Sequence, residues 1–258
     1  MKTGRTSLER KLSIYGFELA AGGHNIYALL EFDITDLRSR LRALRREGRG
    51  GSLFALLLKA IGRCLGEFPE FNLMIDARRT TAFGTVDVSV PIEVEKDGKP
   101  VNKQHVIRNI NGKSLAEVDA EILAAKRSGL DEGSFALPKA AIRLIGVLPR
   151  WMVLLALRTV LRNHRLVREL SGTIFVTSVS MFSGAPGYII PYIGGPKAVS
   201  FAIGSAARKP VVRGDEIRIR EMINITAVFN HDAIDGAPAA RFINRLKELV
   251  EVSNEELF

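Results

Sequence analysis

"FNHDAIDGAPAARFINRLKELVE", residues 229–251, is the stretch on which the fold reading turns. An apolar run, "MINITAVF" (222–229), leads into it with the look of a strand. A helix follows, with Phe242, Ile243, Leu246, Leu249 and Val250 as its apolar stripe. His231 therefore stands at the end of a strand, and Asp235-Gly236 opens a helix. Two readings compete. Asp-Gly is ordinary punctuation between elements. A histidine at a strand end is also rigidly aimed, as a general base must be. Asp235 can cap the helix, and Gly236 permits a turn that a side chain would block.

Working outward, the pattern from residue 171 is β-rich. "TIFVTSVSM" (173–181), "AVSFAIG" (198–204) and "EIRIRE" (216–221) read as further strands, separated by the loops "FSGAPGYIIPYIGGPK" and "ARKPVVRGD". The N-terminal half alternates strands and helices. "IYALLEFDIT" (26–35) is a strand, and Thr35 is the expected cap of "DLRSRLRALRREG", which carries Leu37, Leu41 and Leu44 on one face and five arginines on the other. Ser52 caps a nearly all-apolar helix, broken only by Lys59, Arg63 and Glu67 and ended by Pro69. "TVDVSVPIEVE" (85–95) alternates as a half-buried strand in which Pro91 points to an edge or bulge. "KDGK" (96–99) is a turn. Ser114 and Glu117 form a capping box for a helix that Gly129 ends. Residues 135–170 are hydrophobic and basic together, broken by Pro138 and Pro149. They are expected to pack against the domain or a neighbouring subunit rather than lie on a membrane. The sum is one α+β or α/β layered domain over 1–258, with a mixed sheet and packed helices, an N-terminal arm (1–23) and a helical insertion (135–170).

Composition narrows the function classes. Lys and Arg number 37 against 28 Asp and Glu, a net charge of +9. That suits a polyanionic partner or plain solubility. No aromatic platform or nucleic-acid motif accompanies the charge, so neither nucleic acid nor a membrane surface is the expected partner. The one cysteine, Cys64, lies in the apolar run "LFALLLKAIGRCLGEF" and reads as a buried small hydrophobe. With no disulfide and no apolar leader, a reducing, cytoplasmic setting is expected. His24, His105, His164 and His231 are scattered without zinc spacing, so no metal is expected.

The ordered set "GTIFVTSVSMF", "GGPKAVSFAIGSAARKPVV" and "NITAVFNHDAIDGAPAARFINRLKELVE" resembles the catalytic domain of the dihydrolipoamide acyltransferase component of 2-oxo acid dehydrogenase complexes. That family shares its fold with chloramphenicol acetyltransferase. "SLFALLLKAIGRCLGEFPEFN", "VDVSVPIEVEKDGKPV" and "IRNINGKSLAEVDAEI" extend the likeness over roughly residues 24–252. The family's His-x-x-x-Asp-Gly signature falls on His231, Asp235 and Gly236. The resemblance implies a homotrimer, or a multiple of three, with active sites between subunits. Coenzyme A and a dihydrolipoyl thiol are its implied substrates. His231 would be the base. Thr177 would be the oxyanion donor, standing where the family's Thr-Ile-Ser-Asn segment has its hydroxyl. Asp235 would hold the loop through an arginine of the N-terminal segment, with Arg10 as the candidate. Residues for coenzyme A are not assigned.

Departures from the family pattern keep other readings open. Asn230-His231-Asp232 replaces the family's Asp-His-Arg, and an acid beside the base could raise its pKa or reposition it. Ser178 adjoins Thr177, and Ser180 replaces a frequent glycine. No lipoyl or subunit-binding domain is visible, so a lipoyl group is expected in trans, on another protein. Transfer to a small hydroxyl or amine is the closest alternative. A non-catalytic trimeric scaffold of the same fold is another.

Overall fold

The computed structural model describes residues 4, 6–20, 23–96, 99–128, 145, 147–180, 186–191, 195–252 and 254–258. Its main sheet has six strands. They are β1 (Asn25–Asp33), β4 (Val88–Lys96), β5 (Lys99–Ile107), β6 (Ile174–Ser178), β7 (Val199–Arg213) and β8 (Glu216–Asn230). Their order across the sheet is β1-β8-β7-β6-β4-β5. β6 runs parallel to both its neighbours, and every other pairing is antiparallel. A separate hairpin joins β2 (Leu73–Asp76) to β3 (Arg79–Ala82).

Helices α2 (Thr35–Arg46), α3 (Leu53–Glu67), α4 (Leu115–Arg127) and α7 (Gly236–Glu251) share one hydrophobic core with the sheet. The expected mixed sheet with packed helices is therefore what the chain forms. α3 is the core helix, as its nearly all-apolar composition implied. Ser52 caps it, accepting from the Ala55 N–H at 3.1 Å. Its polar stripe stays partly exposed and carries contacts: Lys59 donates to the Lys113 carbonyl, and Arg63 pairs with Glu256 at 2.5 Å. Gly62 lets α3 approach the turn at Ile110, where an added Cβ would lie 2.5 Å from the isoleucine side chain.

Aromatic packing fixes the β8–α7 corner. Phe242 of α7 stacks on Phe71 at 4.8 Å and meets Phe229 of β8 edge-on at 6.0 Å. These contacts hold the residues between the two elements, 231–235, on a rigid base.

Two sequence expectations change in the fold. The stretch 207–213 is strand, not loop: β7 and β8 continue as a long hairpin whose far arm turns at Gly214. Thr35 is not the cap of α2. Ile34 holds that position, and the Thr35 hydroxyl instead accepts from the Glu221 N–H at 2.8 Å. Pro91 stands at a local edge, as expected: β4 pairs with β6 only at Val88 and Ser89, and beyond them β5 alone lies alongside. Asp97, Gly98, Gly129, Pro138 and the start of the 135–170 stretch lie outside the described residues. The remainder forms α5 (Arg150–Arg162) and α6 (His164–Ser171). α5 packs on the N-terminal helix α1 (Leu8–Ala20), where Arg150 pairs with Glu18 at 2.7 Å and lies over the Tyr15 ring. No helix among the described residues is long and apolar enough to cross a membrane.

Candidate active site

His231 follows the last residue of β8. Its backbone N–H donates to the His24 carbonyl at 2.6 Å, and the Asn230 N–H donates to the Ala198 carbonyl at 2.8 Å. The chain is thus pinned on both sides just where β8 ends. The imidazole is half-exposed, and its Nδ1 stands 3.6 Å from the Asp235 carboxylate. That is charge-pairing range but longer than a hydrogen bond. Pairing of Nδ1 with the carboxylate favours the tautomer that leaves Nε2 free to take a proton.

Asp235 occupies the N-cap position of α7 in extended backbone, but its side chain makes no capping bond and faces His231. The expected turn role of Gly236 is not found. Its backbone is ordinary, and an added Cβ would meet nothing within 4 Å. Arg10 does not reach Asp235. It lies exposed on α1, and among the described residues the charged partner of Asp235 is His231.

Sequence reading missed a second histidine. His24, seen there as one of four scattered histidines, sits beside His231 because β1 pairs with β8 from Asn25–Asn230 onward. Its Nδ1 is 2.8 Å from Asp232 Oδ1. The acid next to the candidate base is therefore engaged with a different imidazole. Only the strand pairing could have revealed this, since 208 positions separate the two residues.

Thr177 lies on β6, with its hydroxyl lacking a partner among the described residues. The neighbouring Ser178 is engaged, its hydroxyl 2.9 Å from that of Ser180. Ile174 and Val176 point into the core, so Thr177 takes the other face of the sheet. The register runs Thr177–Ala202–Thr226 across β6, β7 and β8. Thr226 is five residues short of His231 along β8. Two strand spacings and five residue rises put Thr177 roughly 19 Å from His231 within one chain. The chain brings His231 and Asp235 together and keeps Thr177 apart. Cys64 is buried, its thiol pushed well up by burial, which removes it as a nucleophile. Among the described residues no group of three or more His, Cys, Asp or Glu is placed to hold a metal ion.

The family model for the 2-oxoacid dehydrogenases acyltransferase (catalytic domain) matches residues 25–132 and 154–258. The lipoamide acyltransferase component of the branched-chain alpha-keto acid dehydrogenase complex of Pseudomonas aeruginosa is 27% identical over 230 residues, which are 86% of this chain and 45% of that protein. The chain thus spans less than half the length of such relatives. Among solved structures, a probable dihydrolipoamide acetyltransferase from Listeria monocytogenes superposes with a TM-score of 0.71 at 21% identity, covering 100% of this chain and 99% of the other. The dihydrolipoamide acetyltransferase of Azotobacter vinelandii superposes with a TM-score of 0.71 at 20% identity, covering 100% and 94%. That structure addresses the roles of a serine, a histidine and an asparagine in its mechanism, the last two standing four positions apart.

Proposed function

The chain belongs to the 2-oxoacid dehydrogenases acyltransferase (catalytic domain) family, and from that membership we propose that it moves an acyl group between coenzyme A and a thiol of the dihydrolipoyl kind. His231 is the general base. Its Nε2 takes the thiol proton, the thiolate attacks the thioester carbonyl, and the imidazolium returns the proton to the leaving thiolate. Asp235, four positions on, orients the ring. The Azotobacter enzyme's histidine and asparagine share that spacing. Thr177 donates its free hydroxyl to the oxyanion of the tetrahedral intermediate.

The observation that carries this reading is the fixed His231–Asp235 pair at the β8–α7 corner. The distance to Thr177 adds a condition. A base and an oxyanion donor roughly 19 Å apart in one chain can serve one carbonyl only if they come from two copies. A homotrimer, or a multiple of three, with sites between subunits meets that condition. The single buried thiol suits a reducing compartment such as the cytoplasm. The lipoyl group is carried outside these residues.

The test is an acetyl-coenzyme A assay with free dihydrolipoamide, wild type beside His231→Ala. Turnover in wild type should fall by about 10²- to 10⁴-fold in the variant. Retained turnover in the variant would remove His231 as base. No turnover in the wild-type trimer with any acyl-coenzyme A would favour the scaffold reading.

A further inference from the structure

A cavity of about 870 Å³ opens between α1, the β2–β3 turn, α5 and the end of β8. Asn230 and Asp232, the residues on either side of His231, form part of its wall, as does His24. Its charges are unevenly spent. The three acids on the wall each have a partner: Glu18 pairs with Arg150 at 2.7 Å, Asp232 lies 2.8 Å from His24, and Asp76 lies 3.2 Å from His164 and 3.9 Å from Arg79. Asp76 also accepts the Arg78 and Arg79 backbone N–H groups. Arg78, Arg158 and Arg162, on the same wall, have no acidic partner among the described residues. In the cavity of about 630 Å³ one arginine, Arg165, has no acidic partner among the described residues. There Arg108 and Arg168 both pair with the buried Asp87.

We propose that the larger cavity is a binding site for a phosphate-bearing ligand, held by Arg78 from the β2–β3 turn and by Arg158 and Arg162 from α5. Three exposed arginines from two elements line one volume, and a guanidinium offers paired N–H donors that match a phosphate's oxygens. The imidazole of His231 is not on the wall. The ligand must therefore carry its reactive end some way from its charged end, and coenzyme A has that form. The identification of the ligand rests on the acyltransferase reading, whereas the anion site itself does not.

Calorimetry on the full chain tests this with two thiols that differ in charge, coenzyme A and pantetheine, and with pyrophosphate as a bare anion. Wild type should bind coenzyme A at least about tenfold more tightly than pantetheine, with pyrophosphate competing. In Arg158→Gln/Arg162→Gln the preference should shrink to a few-fold or less, and pyrophosphate should no longer compete. Arg78→Gln, on the opposite wall, should act in the same direction, and unchanged melting would show that each variant is folded. An unaltered preference in both variants would overturn the site and leave the acyltransferase reading standing. Arginine-dependent binding of pyrophosphate without any binding of coenzyme A would keep the anion site, assign it to another phosphate, and overturn the acyltransferase reading.

Discussion

At the scale of single residues, the proposed oxyanion donor is the sharpest point to probe. Thr177 has a free hydroxyl, whereas Ser178 is engaged with Ser180. Thr177→Val should lower turnover by about 10²- to 10³-fold with coenzyme A binding unchanged. Ser178→Ala should cost far less, and steady-state kinetics beside calorimetry would read the difference. That Thr177 and Ser178 face opposite ways was legible in the apolar alternation of "TIFVTSV", and so was a histidine at a strand end; the roles proposed for Thr177 and His231 came from the family resemblance. The His24–Asp232 contact was not legible. It depends on β1 lying beside β8, and nothing local in either segment encodes that pairing. The reading of Gly236 failed for a related reason. Asp-Gly suggests a strained turn, but the helix simply begins there, and the glycine answers to no contact within the chain.

At the scale of elements, Asp33 is a joint. It ends β1, and its carboxylate takes Arg213 at 2.7 Å from the far arm of β7, Arg220 at 2.6 Å from β8 and the Thr35 N–H at 3.0 Å from α2. Burial alone would raise its pKa, but the hydrogen bonds from Arg220, Thr35 and Arg213 outweigh it and bring it to about 2. A carboxylate held below its unfolded value of 3.8 stabilises the fold fully above that pH and loses the contribution as pH falls towards 2. Asp33→Asn should therefore lower stability at pH 7 by about 2 kcal/mol. It should also flatten the acid limb of stability between about pH 4 and 2, as followed by denaturant melts across that range. The arginines involved explain why sequence missed the long hairpin. Arg208 and Arg213, with Lys209 and Pro210 between them, make the β7 side of its far arm look like a polar loop, but Arg213 is a strand residue fastened to a buried acid. Helices were easier: the Ser52 cap and the Ser114–Glu117 box are local signals, and both are present.

At the scale of the whole molecule, the layered architecture followed from alternating patterns, but the strand order did not, because periodicity carries no address for a partner. The far arm of the β7–β8 hairpin leaves Val212, Ile217 and Ile219 more than half exposed, and β1 leaves Tyr27 and Leu29 about half exposed. Apolar surface of that extent suits contact with further copies. Light scattering should give three times the chain mass of 28.4 kDa, or a multiple of that. A clean monomer would break the shared-site scheme. The pairing of β1 with β8 has one more consequence, for the life of the chain before it is whole. Asn25 meets Asn230, so β1 must wait for a partner strand made about two hundred residues later. Until then β1 offers an unpaired edge to whatever is near. Newly made chains are most exposed to mispairing during this interval, so slowing translation ahead of β8 should lower the soluble yield more than slowing it after residue 251.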